Sequence, residues 1–348
     1  MKKLATVLMI CATLTACGGG GGGSQNSNNK TDRPSVALTT QNYEAAATEA
    51  MGSSSTLLGN SSNASNLLPG ANVQTAPTIT DFVLSKLPDL IKSLGAQRPQ
   101  LIGAIITDTQ PCTSGGSLSM SSDDLNGNDS PDPGDYVTVS ANDCIDSLSG
   151  AKINGQMTIT FTKYSKNSAN PDAFDASLIV QSNQFRSEIN GVTTATQGSF
   201  DMDISSIYVL GQNGMTQQSM TVNVSAASLD YSVTTAGTTK VYEYRDYILK
   251  STTYNKQVTL SITGSINIPS LGSNTATIQT IKNFVSPVTS NVSFSLSYPT
   301  DGIALITFKQ GGKIRATANG TSNALIELDQ ENDGKFETSK QVPWSDIL

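Results

Sequence analysis

Thr158-Ile159-Thr160-Phe161-Thr162 alternates without a slip. So do Thr221-Val222-Asn223-Val224-Ser225, Ser228-Leu229-Asp230-Tyr231-Ser232-Val233 and Gln257-Val258-Thr259-Leu260-Ser261-Ile262-Thr263, and residues 292–298 repeat the habit. Successive side chains of a strand point to opposite faces, so each stretch presents an aliphatic or aromatic face and a face of Thr, Ser, Asn and Gln. That is the pattern of antiparallel strands with one face packed and one in water. Turn signals at Asn213-Gly214, Ala236-Gly237, Thr300-Asp301-Gly302 and Gly311-Gly312 separate the stretches. About a dozen strands are expected between residues 115 and 345, with no fixed repeat of the kind a propeller or solenoid shows. The expected fold is mainly β: a large antiparallel curved sheet, half-barrel or sandwich over residues 105–348, with one or two short N-terminal helices packed on it. A transmembrane barrel also alternates, but here Asp, Lys and Glu interrupt the apolar positions and aromatic girdles are missing.

Residues 40–104 hold the helix candidates. Tyr43-Glu44-Ala45-Ala46-Ala47-Thr48-Glu49-Ala50-Met51 is alanine-rich and is expected to break at Gly52-Ser53-Ser54-Ser55. From Thr78 to Leu94, Phe82, Val83, Leu87, Leu90, Ile91 and Leu94 recur at helical spacing, with Thr80 or Asp81 placed to cap and Gly95 to end the helix. Pro88 falls inside that pattern and is expected to kink or split it.

Upstream, Lys2 and Lys3 precede an apolar run from Leu4 to Leu14, the order of a secretory signal peptide and too short for a bilayer span. Leu14-Thr15-Ala16-Cys17 resembles the lipobox of bacterial lipoproteins. The resemblance implies cleavage after residue 16, a diacylglyceryl thioether on Cys17 and acylation of its amine. Several acyl chains make attachment to a membrane effectively permanent. Gly18 stands where inner-membrane retention signals of that family place Asp, which implies the outer membrane. Residues 17–39, mostly Gly, Ser, Asn and Gln, read as a flexible tether with a reach of about 25 Å. Cys11 leaves with the leader and Cys17 carries lipid, so Cys112 and Cys144 remain as a pair in an oxidising compartment, where a disulfide is expected.

The chain carries 28 acidic and 21 basic residues, and the leader takes two of the basic ones with it. An acidic chain without a basic cluster is not built for nucleic acid or for a polybasic headgroup contact. It has no histidine at all, so a Ser-His-Asp or Cys-His nucleophile cannot be assembled within it, nor can a His-containing zinc site. Ser149-Gly150-Ala151-Lys152 fits the serine-lysine spacing of penicillin-binding proteins, but no Lys-Thr-Gly partner accompanies it.

Two acidic loops carry cation-binding spacing. In residues 123–135, Asp124, Asn126, Asn128, Asp132 and Asp135 fall at positions one, three, five, nine and twelve, the ligand spacing of the EF-hand calcium loop. Position six is Asp129 instead of Gly, and position twelve is Asp instead of Glu. In residues 329–340, Asp329, Glu331, Asp333 and Glu337 fall at one, three, five and nine, with Gly334 at six and Lys340 at twelve. Both loops also read as plain hairpin turns. Calcium is the cofactor these residues point to.

The acidic loop running into Gly134-Asp135-Tyr136-Val137-Thr138-Val139, with Cys144 soon after, and the end Asp333-Gly334-Lys335-Phe336-Glu337 with Val342-Pro343-Trp344-Ser345, resemble a group of β-rich proteobacterial lipoproteins without assigned activity. The resemblance covers residues 105–348 and implies a secreted β-rich lipoprotein. Two functions from different classes are open at this point. One is a membrane-tethered, non-enzymatic binding or structural module, stabilised by calcium or holding an apolar ligand within its sheet. The other is an envelope hydrolase working on polysaccharide with two carboxylates. Tyr242, Tyr244 and Tyr247 are placed to face a carbohydrate or partner, or to pack cross-strand. Nothing in the sequence picks out a ligand or a partner protein.

Overall fold

The computed structural model describes residues 34–56, 78–94, 106–128, 130–146, 150–167, 170–211, 214–272, 274–287 and 298–347. Cys17 and most of the expected tether lie outside these residues, as do the expected strand at 292–297, Asn213 and Ser149.

The strands are β1 (Ile106–Pro111), β2 (Ser117–Asp123), β3 (Tyr136–Ile145), β4 (Lys152–Asn167), β5 (Asn170–Ile189), β6 (Val192–Gly211) and β7 (Gly214–Thr235). They continue with β8 (Thr238–Tyr254), β9 (Gln257–Asn267), β10 (Thr275–Pro287), β11 (Asp301–Phe308), β12 (Lys313–Thr317), β13 (Asn323–Asp329) and β14 (Thr338–Pro343). Each pairs antiparallel with the next, giving one 14-stranded sheet in sequence order. Among the described residues β1 and β14 do not pair, so the sheet is not closed into a barrel. The alternation that predicts the strands is the alternation of burial: β11 and β9 bury every second residue, and on β9 Gln, Thr, Ser and Asn face out. Two-residue turns join several long strands. Ala236 and Gly237 both hold positive φ between the paired Thr235 and Thr238, as do Asn190-Gly191 and Asn255-Lys256 in their own hairpins. Their backbone twist matches the twist of the strands. Thr300-Asp301-Gly302 is not a turn: Asp301 already pairs with Val285 and opens β11.

A line of bulges crosses this sheet. The register slips between Ala141 and Cys144 on β3, Ser182 and Phe185 on β5, Arg245 and Ile248 on β8, and Gln279 and Phe284 on β10. A bulge adds an unpaired residue, bends its strand and increases twist. Bulges repeated across the width of a sheet are how long strands such as these curve. The slips also change parity, so Tyr244 and Tyr247, three apart, both face inward.

The inward faces of β2 to β14 and three helices form one apolar cluster. Helix α1 (Tyr43–Thr56) buries Tyr43, Ala46, Ala47, Ala50 and Met51. It runs past the break expected at Gly52. The Ser53 and Ser54 hydroxyls donate to the carbonyls of Glu49 and Ala50 within the helix, and Gly52 admits the Ile347 carbonyl, which would stand 2.7 Å from a Cβ there. Helix α2 (Ile79–Leu94) continues through Pro88 as one element, so the expected split does not occur. A proline inside a helix costs about 3 kcal/mol. Burial of Phe82, Val83, Leu87, Leu90 and Leu94, at roughly 1.5–3 kcal/mol each, outweighs it. Its cap is Thr78 instead of Thr80: Thr78 N–H donates to Asp81 Oδ2 (2.9 Å) and Asp81 N–H to Thr78 Oγ1 (3.2 Å), a reciprocal box. Phe82 packs on Phe185 of β5 with ring centroids 5.4 Å apart. A last short helix, α3 (Trp344–Ile347), sets the fully buried Trp344 edge-on to Phe284. Residues 34–39, the end of the expected tether, belong to the folded body: Leu38 is buried and Val36 N–H donates to Leu271 O (3.0 Å).

Candidate functional site

The β13–β14 hairpin brings together three of the four acids singled out there. Asp329 ends β13 with no exposed surface, and Asn332 at φ 60° reverses the chain after it. Donor oxygens of Asp329, Asp333 and Glu337 then lie within 4.8 Å of one another, on an otherwise exposed turn. Asp329 Oδ1 and Oδ2 accept the N–H groups of Asp333 (3.1 Å) and Gly334 (2.9 Å), which fixes the buried carboxylate under the turn. Glu337 accepts from Gln330 N–H at 3.2 Å, and Lys335 Nζ sits 3.2 Å from Asp333 Oδ2. Glu331 stays exposed and outside the group. Lys340, at position twelve, is used elsewhere: its ammonium meets Glu44 of α1 at 2.6 Å. The turn therefore offers a hard cation three carboxylates and its backbone carbonyls, fewer ligands than a complete EF-hand loop. Beneath it Arg315 makes a two-point contact with Glu327 (2.6 and 2.7 Å) and stacks 4.1 Å from the centroid of Phe336, holding the hairpin stem.

The first acidic loop spends its oxygens differently. Asp135, 1 % exposed, accepts Leu125 N–H at Oδ1 (2.9 Å) and Asp132 N–H at Oδ2 (2.8 Å). Asp124, equally buried, accepts Gly127 N–H at 2.6 Å. Asn126 and Asn128 accept the backbone N–H groups of Asn128 and Ser130, the local turns that Asn favours. Their amide groups both donate to Asp132 Oδ2, at 2.8 and 2.5 Å, and hold the Asp132 carboxyl below the usual carboxylate range. The five residues picked by spacing are thus knitted to one another and to the backbone. Asp123, which the spacing passes over, is buried at the end of β2, and its Oδ1 has no hydrogen-bond partner among the described residues.

The expected disulfide is present. Cys112, in the turn after β1, is bonded to Cys144 on β3 with Cα atoms 5.5 Å apart, tying the edge hairpin to the next strand. Lys152 of the serine-lysine pattern is engaged by Asp143 at 3.1 Å. The tyrosines face inward onto α1 instead of toward a partner. Tyr244 donates to Ser53 O at 2.7 Å, and Tyr242 to Glu49 Oε1 at 3.1 Å. Burial pushes both phenols far above their ordinary range. Burial also opposes ionisation of Glu49, but hydrogen bonds from Lys240 (2.8 Å) and Ser270 N–H (2.9 Å) outweigh it and hold the carboxyl below its ordinary value. This clasp, which only the fold reveals, fastens α1 to β8. The sequence hint was the odd tyrosine spacing.

No protein-family model, curated protein or solved structure matches this chain.

Proposed function

We propose that the protein is an outer-membrane lipoprotein, anchored through the lipid on Cys17, whose folded body is a non-enzymatic binding or structural module stabilised by calcium at Asp329, Asp333 and Glu337. The observation that carries the reading is how the apolar face of the sheet is used: the inward strand residues, α1, α2 and α3 form a single buried cluster. The body is its own filling, so an apolar ligand would have to displace α1 or α2. The calcium part rests on the convergence of three carboxylates on a stem fixed by Arg315. Two of those acids, Asp333 and Glu337, are exposed on the turn, with Asp329 buried beneath them, an arrangement that favours ion binding over hydrolysis. The lipid part rests on the lipobox pattern and its glycine-rich tether.

Expression of the full chain in a bacterium fed labelled palmitate tests the anchor. Label is expected in the outer-membrane fraction, with Cys17→Ser unlabelled and soluble in the periplasm. Unlabelled wild-type protein, or a Cys17→Ser variant that keeps the label, would sink the anchor.

A further inference from the structure

The bulge line shapes the solvent face as well as the core. Where it crosses β4 and β5, Asn154, Gln156, Asn183, Gln184 and Arg186 surround a depression of about 480 Å³. Asn183 and Gln184 face outward together because the register slips there, and Gln184 holds φ at 59°, a backbone that non-glycine residues seldom adopt. Gly155 is the floor: a Cβ on it would stand 2.2 Å from Gln184 O, so the ladder closes only without a side chain. The hydrogen-bonding capacity at the rim is unequal. Asn154 exchanges two hydrogen bonds with Asp143 (2.8 and 3.1 Å), and Gln156 donates to Ser140 (3.2 Å). Arg186, paired in the ladder with Asn154, forms an ion pair with no carboxylate among the described residues. On a chain of net charge −7, this is a guanidinium left open beside two open amides.

We propose that this depression binds a carboxylate-bearing sugar polymer, with Arg186 taking a sugar carboxylate and Asn183 and Gln184 the adjacent hydroxyls. The guanidinium fork matches the two oxygens of a carboxylate. A primary amide presents a donor and an acceptor side by side, as a pair of sugar hydroxyls does. The side chains at the rim, Asn154, Gln156, Asn183, Gln184 and Arg186, are all polar, which favours a hydroxylated ligand over a lipid tail. The open shape suits an internal stretch of a chain that enters and leaves at the surface. The inference rests on the reading of the body as a non-enzymatic binding module, and it supplies that module's ligand class.

Titration of the full chain in detergent with tetragalacturonate, with chelator present to keep calcium out, tests the site. Saturable binding is expected, at least tenfold weaker for Arg186→Gln and weakened for Gln184→Ala, with the neutral galactose tetramer also at least tenfold weaker. Both substituted side chains are exposed, so unchanged melting temperatures check that the variants fold. Absence of binding, equal binding by Arg186→Gln, or equal binding of the neutral tetramer would overturn the proposal while leaving the module reading standing. Sizing the recovered sugar separates the two: intact tetramer agrees with both, and shortened fragments would overturn the non-enzymatic reading.

Discussion

The two acidic loops carry nearly the same spacing of oxygens and put it to different uses. In residues 123–135, Asp124, Asp132 and Asp135 are turned back on their own N–H groups and amides. In the β13–β14 hairpin, the turn at Asn332 folds Asp333 and Glu337 back over Asp329 until the three carboxylates meet. Spacing along a chain says which oxygens are within reach of a point. Whether they converge depends on what else the turn must satisfy. A loop of Asn, Asp and Pro without strand pairing has many orphan N–H groups, and its side chains are consumed in meeting them. The hairpin carboxylates accept loop N–H groups as well, but the reversal at Asn332 directs those bonds inward, so that one oxygen of each still meets the others.

The contrast can be attacked at several points. Removing the staple of the first loop has the largest expected effect. Cys112→Ser with Cys144→Ser opens a crosslink spanning 32 residues and is expected to lower unfolding free energy by about 3 kcal/mol in a urea titration, with the calcium response of the C-terminal hairpin intact. Asp135→Asn is next. It weakens two charge-assisted hydrogen bonds at a buried site, at a cost of about 2 kcal/mol, the same in calcium and in chelator. A loss that calcium repairs would make the first loop a metal site.

The clasp on α1 gives a pH test. Glu49 has its folded-state carboxyl below the ordinary value, so its contribution is fully present above the unfolded value and is lost as pH falls through the folded one. The hydrogen bonds to Glu49 contribute about 1 kcal/mol, reduced on the Lys240 side by solvent. Glu49→Gln should therefore melt lower than wild type at pH 7, with the gap closing as pH falls below the ordinary carboxylate value and through the lower folded one. A gap independent of pH would assign the loss to packing. The smallest effect is expected from Asp123→Asn, which removes a buried carboxylate oxygen lacking a partner. Stability should hold or rise slightly, equally with and without calcium. A loss confined to calcium buffer would move the cation to the first loop.

Much of the fold is legible in the chain, because alternation of Ile, Leu, Val and Tyr with Thr and Ser leaves one face to bury. The bulges were harder to read. Their traces are glycines inside strands, such as Gly155, and the step from Tyr244 to Tyr247, which a regular strand would send to opposite faces. Pro88 and Gly52 mislead because local rules price a residue as if its helix stood alone, whereas α1 and α2 are buried along their length. Of the hairpin acids, Asp329, Asp333 and Glu337 were readable as a group. Glu331 fits the spacing and still fails to join, since side-chain direction at a turn depends on φ angles the sequence does not display. The clasp of Glu49 by Lys240 and Ser270 joins residues about 190 to 220 positions apart, a pairing that only tertiary structure sets.

The most direct test is a thermal melt of the full chain in excess calcium and in chelator, for wild type, Glu337→Gln and Asp132→Asn. A ligand that binds only the folded state raises its stability, by about 2.7 kcal/mol at a hundredfold excess over Kd. The account predicts an upward shift for wild type that Asp132→Asn keeps and Glu337→Gln loses. A shift that survives Glu337→Gln and disappears in Asp132→Asn, or no shift in any of the three, would contradict it.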